Sequence, residues 1–121
     1  MSADPYSAEV RALFASPAHA GDLDGGRTVA ASGQDVRLEL SGAATGGRLE
    51  ALRFRAWACP HVIAAAEAAC ASLEGATVAE LLEFSVVDLM ENLAVPVEKT
   101  GRILVLEDAV RSLGQALRDG T

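Results

Sequence analysis

Aromatic side chains are scarce in this chain: one tryptophan, one tyrosine and three phenylalanines among 121 residues. A core packed to ordinary density has to be filled by alanine, valine and leucine instead. Basic residues are also few, 10 against 17 acidic ones, for a formal net charge of −7. That excludes a general positive field able to gather nucleic acid, and no nucleic-acid partner is expected. There is no long apolar run and no signal-peptide pattern, so no membrane partner is expected. Two cysteines do not make a disulfide framework. Read as neighbours on one helix, Cys59 and Cys70 would stand roughly 16 Å apart at 1.5 Å per residue, and a disulfide tolerates less than about 7 Å. This cysteine usage points to a reducing, cytoplasmic compartment. The length suits a single domain spanning residues 1–121.

What the chain does contain is one chemically pointed stretch. Arg53-Phe54-Arg55-Ala56-Trp57-Ala58 alternates in polarity, Cys59 follows, Pro60 comes next, and an alanine-rich helical pattern begins. The order is strand, turn, thiol, helix. Proline suits a first helical position, where its missing N–H would have had no partner. Cys59 then lies beside the unpaired N–H groups and positive dipole end of a helix, a place that favours a thiolate over its ordinary pKa of about 8.5.

The remaining elements follow from periodicity. Ser7 to Ala15 predicts a short N-terminal helix, closed by Ser16-Pro17. Ala18 to Gly26 reads as a loop, with His19 as a solvated loop histidine. Thr28–Ala31 predicts a short strand, Val36–Leu40 a second, and residues 41–47 a turn into the Cys59 strand. Folding about residue 45 places Val36 and Leu38 on one face with Phe54 and Leu52, and brings the loop Ala31-Ser32-Gly33-Gln34 beside Trp57 and Cys59. After Pro60, an apolar stripe of Val62, Ile63, Ala66, Ala69, Cys70 and Leu73 makes Cys70 a core residue, and His61 reads as an exposed first-turn residue. Thr77 and Ser85 open two short helices with capping-box patterns; Asn92 to Thr100 is a linker, and an amphipathic helix of about four turns closes the chain from Arg102. The fold class is α+β: a small antiparallel sheet of about three strands packed against helices, with an N-terminal helix and a long C-terminal helix.

In order and spacing these strings resemble the NifU/IscU-type scaffold family of iron–sulfur cluster assembly, over nearly the whole chain. Tyr6-Ser7 with Ser16-Pro17 and Gly21 is similar to the family's opening helix and loop, Arg53 to Cys59 to its cysteine-bearing strand, and Leu106-Glu107-Asp108-Ala109-Val110 to its last helix. The resemblance implies three cysteine ligands, an aspartate and in many members a histidine. Only Cys59 matches, at the middle cysteine. Ser32 stands at the first cysteine, Gln34 at the aspartate with Asp35 one place on, Gly101 at the histidine and Arg102 at the third cysteine, while Lys99 matches a family lysine. The segment that an Hsp70-type chaperone reads is reduced to Val95-Pro96-Val97-Glu98-Lys99, which argues against that hand-off.

An iron–sulfur cluster is thus implied by resemblance and opposed by ligand count, because Cys59, His61 and Asp35 are the whole candidate metal set and a cluster wants about four soft ligands. One accessible, acidified thiol instead suits persulfide acceptance from a cysteine desulfurase, the expected partner, with Arg102 and His61 assisting Cys59. Single-thiol acceptors of the SufE type have a related fold. The resemblance points to a scaffold or sulfur carrier rather than an enzyme. The alternative is a paralogue that binds and modulates a desulfurase or another assembly protein without chemistry.

Overall fold

A computed structural model of the chain describes residues 6–119. The first helix, α1, spans Ala8–Ala15. Ser7 caps it: its hydroxyl accepts from the Val10 N–H at 3.2 Å and donates to the Leu93 carbonyl at 3.0 Å. One side chain therefore starts the helix and ties it to a distant turn.

Three antiparallel strands follow as a meander, β1 Arg27–Gly33, β2 Val36–Thr45 and β3 Arg48–Trp57. Both hairpins turn on two residues of positive φ, Gln34-Asp35 (52° and 62°) and Gly46-Gly47 (61° and 79°). That backbone matches the twist of the flanking strands. The turn between β2 and β3 is consequently two residues, not the seven of 41–47, and Ser41 to Thr45 belong to β2. Small, weakly strand-forming residues occupy that stretch because a helix lies close above it: a Cβ on Gly42 would meet Leu113 at 2.9 Å. Leu38 accordingly pairs with Ala56 and Leu40 with Phe54, a shift of four residues from the expected register. An even shift keeps every side chain on its face, so Val36, Leu38, Leu52 and Phe54 are still buried together. A bulge near Ala43 and Ala44 then switches parity and lets Leu49 join the same core.

Helix α2, Pro60–Leu73, begins directly after Cys59, which is its N-cap residue, with Pro60 in the first turn. It is not the one-striped helix of the sequence reading. Val62, Ala64, Ala65, Ala66, Ala69 and Cys70 are all buried, as are His61 and Glu67. Such a helix is enclosed on most sides, and its alanines allow the close approach. Two short helices come next, α3 Val78–Leu82 and α4 Val87–Asn92. The Thr77–Glu80 capping box forms as expected, whereas Val86, not Ser85, occupies the N-cap of α4. The stretch read as a linker holds a 3₁₀ turn, Val97–Lys99, that runs straight into α5, Thr100–Asp119. The last helix starts two residues earlier than Arg102 and is longer than four turns.

The helices cover one face of the sheet. Helix α2 packs on β3, α5 on β1 and β2, α1 on α2, and α3 on α5. Leucines 38, 40, 52, 106 and 113 lie at the centre, each 1% exposed or less. Burying one such side chain contributes about 2 kcal/mol, which is how a core poor in aromatics holds. Among the described residues no helix is long and apolar enough to cross a membrane.

Candidate functional site

The strand-to-helix junction fixes Cys59. Strand β3 ends at Trp57 and α2 begins at Pro60, so Cys59 sits in extended conformation (φ −72°, ψ 163°) with its carbonyl accepting from Val62 and Ile63 at 3.0 and 3.2 Å. Its sulfur is partly exposed and unbonded to Cys70. No capping hydrogen bond of ordinary geometry forms, but several positive groups face the sulfur. Partial burial alone would raise the thiol pKa. The Val62 N–H, the Arg102 guanidinium, the His61 N–H and the charge of Lys99 together outweigh it and hold Cys59 below the usual thiol range. Cys70 is the opposite case: burial, followed by the charges of Glu67 and Glu74, pushes its thiol far up, and it is an inert core residue as expected.

The other predicted positions divide. Arg102, in the first turn of α5, joins Cys59. Gln34 lies against the same turn, its side chain 3.5 Å from where a Cβ on Gly101 would stand. Ser32 is across the sheet from Arg37, which pairs in turn with Trp57, so these three lie in one cross-strand row. The Arg37 guanidinium is 5.2 Å from the centre of the Trp57 ring and holds the half-exposed indole by a cation–π contact. Asp35 is exposed at the β1–β2 turn.

His61 corrects the sequence reading. It is 2% exposed, its ring 4.8 Å from that of Tyr6, and neither ring nitrogen has a hydrogen-bond partner among the described residues. Burial, then the charge of Lys99, lower its pKa against a smaller opposing effect of Glu98. The imidazole is neutral at pH 7. What His61 offers Cys59 is its backbone N–H.

His19 is likewise not a solvated loop residue. Its Nδ1 is 2.5 Å from Glu67 and its Nε2 3.0 Å from Glu74, and its own N–H donates to Glu67 at 2.6 Å. Glu74 also accepts from the Leu52 N–H at 2.9 Å and from Arg53 at 3.0 Å. Desolvation alone would lower the His19 pKa, but the hydrogen bonds and charges of the two carboxylates raise it. The pair fastens residues 19–21 along the outer edge of β3, where Phe54 donates to His19 at 3.0 Å and Gly21 donates to Phe54 at 2.8 Å. No sequence spacing announces this cluster. Between this loop, α1 and β3 lies an open cavity of about 540 Å³ lined by Phe14, Pro17, Ala20, Trp57 and Ile63 among others.

The donors around Cys59 do not fit an iron–sulfur cluster. One partly exposed thiol is present, the second cysteine is buried, and the Arg102 guanidinium, a permanent cation, faces the sulfur. Among the described residues no three His, Cys, Asp or Glu side chains are arranged to hold a metal ion.

Comparison with known proteins adds the following. A family model described as the NifU-like N-terminal domain matches residues 5–116. Among solved structures, the chain is similar to the N-terminal part of a nitrogen-fixing NifU-like protein from Brucella abortus, with TM-score 0.75, 14% identity and 95% of each chain covered. It is also similar to a protein described only as hypothetical, with TM-score 0.72, 15% identity, and 88% of this chain and 96% of that one covered. No curated protein matches the chain.

Proposed function

The chain belongs to the family of NifU-like N-terminal domains, and from that premise we propose that it serves iron–sulfur cluster assembly as a sulfur acceptor, with Cys59 as the accepting thiol. The observation that carries the reading is the meeting of Cys59 with Arg102 at the head of α2. A guanidinium beside a lone thiol opposes binding of a metal cation and favours an anionic sulfur.

The step balances without an outside oxidant. The Cys59 thiolate attacks the terminal sulfur of a protein persulfide, R–S–SH. A bond forms between Cys59 Sγ and that sulfur as the donor's S–S bond breaks, and R–S⁻ leaves as a thiolate. The product, Cys59–S–SH, keeps the proton of the transferred sulfur until it ionises. Arg102, Lys99 and the N–H groups of His61 and Val62 stabilise the anion before and after transfer. His61, buried against Tyr6, holds the junction in place and takes no proton in this scheme. The expected donor is a cysteine desulfurase, and the protein acts as a carrier rather than as an enzyme.

The test is anaerobic incubation with a desulfurase and free cysteine, followed by mass spectrometry of the intact chain. One added sulfur on the parent and none on Cys59→Ser supports the reading. Equal sulfur on Cys59→Ser, or the visible absorption of a cluster after addition of iron, overturns it. Binding of the desulfurase to Cys59→Ala, with no sulfur on the parent, would instead favour a modulating paralogue.

A further inference from the structure

The cavity beside Cys59 has no part in the chemistry just described, yet Trp57 and Ile63, which line it, flank the thiol on both sides of the chain. Its other walls are Phe14 and Pro17 at the end of α1 and Ala20 in the loop fastened by His19. Phe14 and Trp57 are 44% and 51% exposed. In a chain with five aromatic residues, exposing two at one groove leaves unburied much of the aromatic surface available to the core. On the opposite flank, toward β1 and β2, stand Lys99 and Arg102, the cations that face the sulfur. Arg55 also lines the groove, but its guanidinium is paired with Asp22, and that of Arg37 is stacked on Trp57. Cys59 is the boundary between a mainly apolar trough and a basic step.

This division selects its occupant. A donor segment laid over the partly exposed thiol meets both flanks. We propose that the cysteine-bearing segment of the donor protein docks here, with a bulky apolar side chain in the Phe14–Trp57–Ile63 groove and an acidic side chain toward Lys99 and Arg102. Trp57 is two residues from Cys59, about 7 Å along an extended chain, so the apolar residue stands two or three places from the donor cysteine. The acidic residue lies on the cysteine's other side. This inference rests on the sulfur-acceptor reading and adds the selection of the donor segment.

The experiment uses short peptides whose single cysteine carries thionitrobenzoate as a mixed disulfide. The Cys59 thiolate attacks the peptide sulfur, the S–S bond breaks, and the coloured thionitrobenzoate anion leaves, so the rate is read directly. Four peptides carry either an apolar or a serine residue on one side and either a glutamate or a lysine on the other. The apolar, acidic peptide is expected to react about tenfold faster than the serine, lysine peptide at low salt. Phe14→Ser and Trp57→Ala remove the apolar preference. Lys99→Gln and Arg102→Gln remove the acidic preference, judged as a ratio of rates within each variant so that a changed thiolate fraction cancels. An unreactive form of the best peptide, with serine for cysteine, shifts the emission of Trp57, the one tryptophan. Rates within about a factor of two for all four peptides, or preferences that survive the variants, overturn the proposal. A parent that accepts sulfur from the desulfurase but does not discriminate among peptides loses only the docking surface. A parent that discriminates but takes no sulfur loses only the acceptor role.

Discussion

The carboxylate of Glu67, 4% exposed, lies 2.5 Å from Nδ1 of His19, a residue 48 positions earlier in the chain. With Glu74 on Nε2 at 3.0 Å, both ring nitrogens meet acceptors, and both must carry hydrogen to satisfy them. The positive imidazolium is thus the form the fold is built around.

A pH dependence follows. His19 has its pKa raised on folding, so its contribution is complete below about pH 6.5 and is lost as pH rises through the folded value. Burial alone would raise the pKa of Glu74, but the Leu52 N–H, His19 and Arg53 lower it, so its contribution is complete above about pH 4.5 and is lost as pH falls through the folded value. The contribution of this cluster is therefore greatest between these limits, and urea unfolding of the parent and of His19→Ala compared across pH isolates it. His19→Ala removes the alkaline decline and costs on the order of 3 kcal/mol, because Glu67 is left buried with only the backbone N–H of residue 19 and no charged partner.

The thiol makes a second prediction. Alkylation of Cys59 by iodoacetamide, followed across pH, is expected to have its midpoint below about 8.5. In Arg102→Gln the midpoint moves up, since one of the groups holding the anion is gone. Cys70 stays unlabelled until the protein unfolds.

The Tyr6–His61 contact can be read by nuclear magnetic resonance. In the parent the imidazole should titrate below its ordinary value. Tyr6→Ala uncovers the ring at the 4.8 Å contact, and the titration is expected to move toward about 6.5. A neutral buried histidine contributes more at higher pH, so the stability lost in acid by the parent should be partly restored in this variant relative to its own maximum.

How close the α3–α5 contact is can be tested by adding side-chain volume. A Cβ on Gly114 would stand 3.0 Å from Leu81 Cβ and 3.2 Å from the Leu82 backbone nitrogen. Alanine at this helical position would gain about 1 kcal/mol in propensity, but the backbone opposite cannot step aside. Gly114→Val is therefore expected to destabilise by about 2 kcal/mol or more in thermal unfolding, by overpacking.

The parts of the fold legible in the sequence were those written locally. Alternation up to Trp57, then Cys59 and Pro60, places the thiol at a helix start without knowledge of any distant residue, and the β2–β3 hairpin keeps its faces even though the register was four residues off. The β2 extension was illegible because Gly42 and its small neighbours look like a turn until Leu113 lies over them. The true environments of both histidines were illegible for a related reason: His19 is defined by Glu67 and Glu74, and His61 by Tyr6, all remote in sequence. Arg102 was found beside Cys59 because the family resemblance aligned it with a ligand position. Nothing in its own segment points there.

The His19 loop also settles how this sheet ends. Strand β3 is an outer strand, and the backbone hydrogen bonds of His19 and Gly21 to Phe54 occupy part of its free edge. An uncovered outer strand is a template for pairing with another molecule. The two carboxylates that hold His19 therefore help to close this part of the β3 edge to pairing with another chain, from a helix that packs on the same strand.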